Sequence, residues 1–216
     1  MSHDRTDARP GRPILTMLAL ALALPHPSPA SAYQVTIGTG TRALYLRVGD
    51  GTITGGTYNA GGTPAANTTV NLVSVTVPAA VVGNTVNQAM TGTGRLTSDL
   101  DNFVFCGAGQ TYIGGFFRTP NNDAATATLG YNAPATLTSA GGDNIPISQI
   151  TWTSSGNGDT GAQPIPGGTF AAGTQPLATI NRNTWVESCH SFAYGNDAIV
   201  AAGTYNARVT YTFAAP

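Results

Sequence analysis

Short runs in which apolar and polar residues alternate dominate the chain after residue 32. Clusters of glycine, asparagine and proline separate these runs, and no segment after residue 32 keeps the three-and-four apolar spacing of a helix. The pattern predicts many short strands. The predicted strands are residues 33–37, 43–48, 70–77, 102–105, 111–117, 125–131, 135–138, 149–153, 184–192 and 203–213. A helical turn is expected only within 78–88.

Residues 203–213 show the clearest alternation. Side chains of a strand point to its two faces in turn, so four apolar residues here share one face. They are Tyr205, Val209, Tyr211 and Phe213. Threonine, asparagine and arginine occupy the other face. The alternation predicts that the four apolar side chains lie in the core or are captured by a partner chain, and we regard this segment as a candidate assembly strand.

The number of strands and the lack of helical pattern predict an all-β fold. We expect residues 33–216 to form a single immunoglobulin-like or jelly-roll-like β-sandwich. These residues are numerous enough for one domain with a substantial core.

The first 32 residues have the order of a secretory signal peptide. Arginines precede an uninterrupted apolar run at 14–24, and small residues follow it, ending in Ala30-Ser31-Ala32. This ending fits the small-residue pattern that signal peptidase cleaves, so we expect the mature chain to begin at Tyr33. The apolar run is far shorter than the roughly 20 residues that span a bilayer. The sequence therefore predicts a protein that is exported to the periplasm, the cell surface or the medium and does not span a membrane.

The composition argues against nucleic acid as a partner. The chain has no lysine, and residues 33–216 carry six arginines and eight acids, a formal charge of −2. Nucleic-acid binding relies on clustered lysine and arginine that neutralise phosphates. Charged residues make up 9% of the chain, against about 25% in ordinary soluble domains. Such a surface suits packing into an assembly, although secreted lectin-like sandwiches share it.

Cys106 and Cys189 are the two cysteines of the chain. An even number of cysteines in an exported protein predicts a disulfide, here between predicted strands 102–105 and 184–192. Closing a loop of this length would stabilise the fold by about 4–5 kcal/mol in the chain-entropy model. A metal site made from these thiolates would need closely spaced cysteine or histidine partners, which the sequence lacks.

Catalytic chemistry has few candidates. His190 is the one histidine after residue 32, with Glu187 and Asp197 near it in sequence. A hydrolase triad would also need a nucleophile on a strained turn, and no G-x-S-x-G motif supplies one. Asp99 and Asp101 could act as paired carboxylates, but residues 92–102 fit a turn capped by Asp and Asn side chains better. We therefore predict no catalytic residues, no cofactor and no enzyme activity.

Two binding chemistries stay open. Oxygen-rich stretches at 121–123 and 157–160 could bind calcium, although neither matches the twelve-residue calcium loop, and we assign no metal ligands. Aromatic residues could stack on sugars, but filling the core is their commoner use. The aromatic residues considered are Tyr112, Tyr131, Trp152, Trp185 and Tyr194. Because stacking of these rings on a sugar is the less common alternative to core filling, a glycan stays open as a ligand. The longest predicted loop, 154–169, is either an exposed functional loop or a flexible excursion.

The tail AAGTYNARVTYTFAAP at 201–216 resembles the closing strand of bacterial pilin-like and spore-coat-U-type secreted subunits. A Gly-Thr-Tyr step there leads into an alternating strand, in the style of chaperone–usher fimbrial domains. The resemblance implies an incomplete immunoglobulin-like sandwich that is completed by a strand from another chain. It also implies partners, namely other subunits and a periplasmic chaperone that grips the C-terminal strand.

These observations predict a secreted structural subunit of a bacterial surface assembly, such as a pilus, fimbria or coat. The alternative is a secreted adhesin or carbohydrate-binding β-sandwich. A structural subunit would need a donated strand or a chaperone, whereas a binding module would be stable alone.

Overall fold

A computed structural model describes residues 34–56, 71–159 and 161–216 of the chain. The predicted signal peptide, the predicted start at Tyr33 and the beginning of predicted strand 70–77 lie outside these residues. Within them the chain forms short strands and two 3-10 turns, Ala79–Val81 and Ile147–Gln149. The strands are β1 (Gln34–Thr36), β2 (Ala43–Val48), β3 (Gly51–Gly56), β4 (Val73–Ser74), β5 (Gln88–Ala89), β6 (Thr91–Gly92), β7 (Thr111–Arg118), β8 (Thr126–Ala133), β9 (Thr136–Ser139), β10 (Asn144–Pro146), β11 (Ile150–Ser155), β12 (Gly168–Thr169), β13 (Gly173–Asn181), β14 (Thr184–Tyr194), β15 (Tyr205–Asn206) and β16 (Thr210–Ala214).

The strands form one large sheet and three small ones. The large sheet has the order β12-β11-β14-β7-β2-β3, and β1 and β5 also pair with β14. A three-stranded sheet has the order β13-β8-β16, and the others are β10-β9-β15 and β4-β6. The pairings in these sheets are antiparallel. The all-β fold with sheets packed as a β-sandwich is as the sequence predicts.

The core lies between the large sheet and the sheet β13-β8-β16. At one end, Leu46, Phe117 and Val186 of the large sheet meet Leu129 and Phe213 of the smaller sheet. At the other end, a second apolar cluster gathers aromatic side chains from both layers. Its buried residues are Tyr131, Ala133, Ile145, Ile147, Ile150, Trp152, Phe170, Phe192 and Tyr194. The face of the large sheet that is turned away from this core is called the outer face below.

Strand β14 is buried on both faces. Val186, His190 and Phe192 point into the sandwich, whereas Trp185 and Cys189 alternate with them on the outer face. All six residues of 185–190 are buried. A segment of chain covers the outer face here, so β14 becomes the most enclosed element of the large sheet.

Two predicted strands differ from the structure. The hydrogen-bonded turn lies at 99–101, and in the predicted strand 102–105 one residue, Val104, makes an isolated antiparallel bridge to Thr97. The prediction of a strand there was wrong because Asn102 has a left-handed φ of 63° and Asp101 Oδ1 accepts the amide of Phe103, which leaves no run of extended, paired residues. Residues 203–213 are not one strand either, since β15 pairs with β9 and β16 pairs with β8. The chain passes from one small sheet to another between Asn206 and Thr210.

Other predictions agree in part. β2 has the predicted bounds, and the helical turn expected within 78–88 is the 3-10 turn Ala79–Val81. In predicted strand 70–77 only Val73–Ser74 pairs with another strand, although Val73, Val75 and Val77 pack against the core. In the described part of the chain, no helix has the length and apolarity needed to cross a membrane.

Candidate functional site

The predicted disulfide is present. Cys106 and Cys189 are bonded, with 5.5 Å between their Cα atoms and 83 residues between them in sequence. The bond attaches residues 95–106, called the covering loop below, to the outer face of β14. Backbone bonds from Phe105 and Cys106 to the carbonyl of Leu96 close this loop on itself. Disulfides of this kind are typical of oxidising compartments outside the cytoplasm.

Asp99 anchors the covering loop to the sheet through charge. Its carboxylate accepts hydrogen bonds from the Nε of Arg47 and from the hydroxyl of Tyr45. It also lies 3.1 Å from the Nε of Arg95. The partners of this carboxylate are therefore two cations and a hydroxyl. The structure does not bring Asp99 and Asp101 together as paired carboxylates. Asp101 caps the turn, where its Oδ1 accepts the amide of Phe103.

Glu187 is a fully buried carboxylate beneath the same loop. The hydroxyl of Tyr112 donates to its Oε2 at 2.6 Å, and the amide of Asp99 donates to that hydroxyl at 3.2 Å. Burial, together with the hydrogen bond to Glu187, raises the pKa of Tyr112, so the phenol stays a donor. Gly114 makes this contact possible, because a Cβ there would lie 2.1 Å from the Tyr112 hydroxyl. Oε1 of Glu187 has no hydrogen-bond partner.

Next to this charged group the outer face carries an aromatic cluster, formed by Tyr45, Phe116 and Trp185. The register aligns Tyr45 of β2 with Phe116 of β7 and Phe116 with Trp185 of β14. The ring centroids lie 5.8–6.0 Å apart, and Arg118 lies over Phe116 at 5.9 Å. Tyr45 and Phe116 stay partly exposed, whereas Trp185 is buried. The cluster is a rigid, partly open surface with a cation beside it.

His190 lies on the opposite side of the sheet, inside the sandwich. Its ring stacks on Trp152 with centroids 5.9 Å apart, and its Nε2 lies 3.4 Å from the carbonyl oxygen of Ile165. Burial lowers the pKa of His190 to about 4, so the ring is neutral at neutral pH. Glu187 faces the other way, and Asp197 binds Gln149 at the surface. The structure does not bring the histidine and its two neighbouring acids together.

The four apolar residues predicted for the candidate assembly strand all point inward. Phe213 is 2% exposed, Tyr211 contacts both core clusters, and Val209 and Tyr205 pack against the second one. β16 pairs with β8 over all five of its residues, from Thr210↔Asn132 to Ala214↔Thr128. In the part of the chain that the structure describes, no strand pairs with its other edge. Whether this edge serves assembly stays a prediction.

The residues considered for calcium and for sugars do not form a common site. Asp159 Oδ1 accepts the amide of Gly161 within a turn, and the described residues contain no group of three histidine, cysteine or acidic side chains suited to a metal ion. The five aromatic residues considered for sugars are at most 7% exposed, so they fill the core and the covered part of the outer face. An open cleft of about 510 Å³ lies between the covering loop and the turn at Asn157.

The predicted long loop is neither fully exposed nor irregular throughout. It begins within β11 and ends in β12, and Ile165 in its middle is completely buried. The carbonyl of Ile165 accepts the Ser154 hydroxyl at 2.6 Å, and the carbonyl of Pro166 accepts the indole of Trp152. These contacts fix the segment against the sandwich.

Sequence reasoning missed the outer-face features. Arg47, Phe116 and Arg118 belong to predicted strands or their ends, and alternation places each opposite a core residue. That signal marks them as outward-facing. It does not show that they meet Asp99 or Trp185, because those contacts join segments of the chain that are far apart in sequence.

Comparison of the chain with models of protein families, with curated protein sequences and with solved structures gives no match.

Proposed function

We propose that this chain is an exported structural subunit of a bacterial surface assembly, such as a pilus, a fimbria or a coat. The observation that carries the proposal is the edge position of β16. Its apolar side chains are held in the core, while no described strand covers its second edge. Unpaired backbone groups on a sheet edge are a template for a strand from another chain, and several bacterial assemblies use this mode.

Two further features support the proposal. The sparse charge of the surface leaves little electrostatic repulsion between closely packed copies. The disulfide suits a protein that works outside the cytoplasm. The partners expected are copies of this chain, related subunits, or a periplasmic chaperone that holds β16 before assembly.

A pair of charge substitutions tests the role of the edge. Thr210 and Thr212 are exposed on β16, and lysine on an edge strand opposes the addition of another strand. The double variant Thr210→Lys/Thr212→Lys should be exported at the level of the unmodified protein, because both substituted side chains are exposed, but should not assemble. Assembly is measured on exported protein by light scattering after size exclusion and by electron microscopy.

Strand β8 offers a matched control. Thr128 and Asn132 are exposed and pair directly with Ala214 and Thr210, but β8 is paired on both edges. Thr128→Lys/Asn132→Lys adds the same charge on the same face and should assemble like the unmodified protein. Assembly of the Thr210→Lys/Thr212→Lys variant at the unmodified level would contradict the proposal, as would an exported protein that stays monomeric with its own export machinery present.

A further inference from the structure

Arg118 differs from most other arginines in the described part of the chain. Four of them bind a carboxylate or carbonyl oxygen, and these are Arg42, Arg47, Arg95 and Arg182. No acceptor among the described residues binds Arg118, and its Nε is buried without a hydrogen-bond partner. The guanidinium lies over the ring of Phe116, 5.9 Å from its centroid. A buried N–H without an acceptor is costly to keep.

The residues next to Arg118 are small. Its direct neighbour on β2 is Ala43, which has a short side chain. On another side lies Gly40, where a Cβ would come within 3.2 Å of the Arg118 Nε. A larger side chain at Gly40 would press on the guanidinium, so a small residue there lets Arg118 keep its place beside Phe116.

The aromatic cluster next to Arg118 is rigid and partly open. The hydroxyl of Tyr45 is held by Asp99 and accepts the Nε of Arg47 at 3.2 Å, which fixes the ring. The planes of Tyr45 and Phe116 are within 20° of each other. Two partly exposed rings side by side offer apolar surface to a ligand, and a cation beside them adds a preference for negative charge.

We propose that Arg118 and the aromatic cluster form a binding site for acidic polysaccharides. The apolar face of a sugar ring packs on Phe116 and Tyr45, and a carboxylate on that sugar accepts two hydrogen bonds from the terminal nitrogens of the Arg118 guanidinium, since its Nε is buried. Arginine matches a carboxylate in this bidentate geometry better than lysine does. The argument for a glycan over an acidic peptide is that β2, β7 and β14 have both backbone edges paired. A peptide strand therefore finds no edge here, whereas a flat sugar ring needs none.

This site goes beyond the structural role proposed above and does not depend on it, because it lies on the large sheet and β16 does not. The test is calorimetric titration of the exported protein with oligogalacturonate, whose sugars carry carboxylates. The fully methyl-esterified oligomer has the same rings without the charge and serves as the matched ligand. We expect binding to oligogalacturonate that weakens with salt, and affinity at least tenfold lower for the ester.

Variants separate the site from general surface charge. Arg118→Gln should lower the affinity at least tenfold, Arg118→Lys should lower it less, and Phe116→Leu should lower it about fivefold or more. Arg208→Gln removes an exposed arginine elsewhere and should leave the affinity unchanged. Melting curves confirm that each variant is folded. Equal affinity of Arg118→Gln and the unmodified protein would overturn the proposal, as would no binding of oligogalacturonate or equal affinity for polyglutamate.

Discussion

The burial of His190 predicts a loss of stability in mild acid. The ring lies between Trp152 and Phe192 inside the sandwich, and its polar contact is the carbonyl of Ile165. Desolvation lowers its pKa to about 4, and no charged side chain in the described residues contributes to this shift. The folded state therefore keeps His190 neutral at a pH where the unfolded chain already binds a proton.

The direction and size of the effect follow from the two pKa values. An unfolded histidine has a pKa of about 6.5, and a difference of about 2.5 between the states corresponds to about 3 kcal/mol of unfolding free energy. That stability is fully present above pH 6.5 and is lost as the pH falls toward 4. The hydrogen bond from Arg42 lowers the pKa of Asp123, so the titration of that carboxylate falls mainly below this window. Because domains are stable by about 5–15 kcal/mol, the loss would be a large fraction of the total.

Urea unfolding between pH 4.5 and 7.5, with the disulfide intact, measures the effect. We expect the unfolding free energy of the unmodified protein to fall by about 2–3 kcal/mol across this range. His190→Gln lacks the titrating group. Its unfolding free energy should therefore fall by about 2–3 kcal/mol less than that of the unmodified protein over the same pH range, whatever its stability at pH 7.5. Phe192→Leu perturbs the same core without changing a proton and should keep the original pH dependence. An equal pH dependence of His190→Gln and the unmodified protein would refute the assignment of His190 as a buried neutral base.

Three further results are expected. Cys106→Ser should lower the unfolding free energy by about 4–5 kcal/mol in urea titrations, and a reduced but otherwise unmodified protein showing no loss would contradict this. Gly114→Ala should lower the unfolding free energy by about 2 kcal/mol or more, because the new Cβ displaces the Tyr112 hydroxyl from the buried Glu187. Gly38→Ala, where a Cβ meets open space, should change the melting temperature little. Val209→Asp should sharply reduce the amount of exported folded protein while Thr210→Asp should not, and equal yields would show that the inward facing is unimportant for folding.

The sequence predicts the layers of this fold better than their order. Alternation identified β2 with its bounds, because one face of that strand is apolar and the other carries Tyr45 and Arg47. It missed β13, where the register shifts between Pro176 and Ala178 and the alternation breaks at that bulge. Export chemistry and cysteine number predicted the disulfide without any knowledge of the strands.

In the candidate sites too, local features can be predicted from the sequence, whereas contacts between distant segments cannot. Residue type identified Asp101 as a turn cap, which is a local property, and the structure confirms it. Asp99 of the covering loop meets Arg47 of β2 across 52 positions, and Phe116 meets Trp185 through the register of β7 and β14 across 69 positions. No local pattern contains that register.

The central place of β14 has a consequence for how the chain folds. β14 begins only at Thr184, yet it pairs with β1, β5, β7 and β11, all of which precede it in sequence. In the export that we propose, the N-terminal strands would emerge first, and the edges of β7 and β11 that pair with β14 would stay open until β14 follows. Closing such distant contacts is slow, and open edges attract other strands in the meantime. A helper that shields those edges before β14 arrives would raise the yield of folded protein more than any substitution that strengthens the finished core.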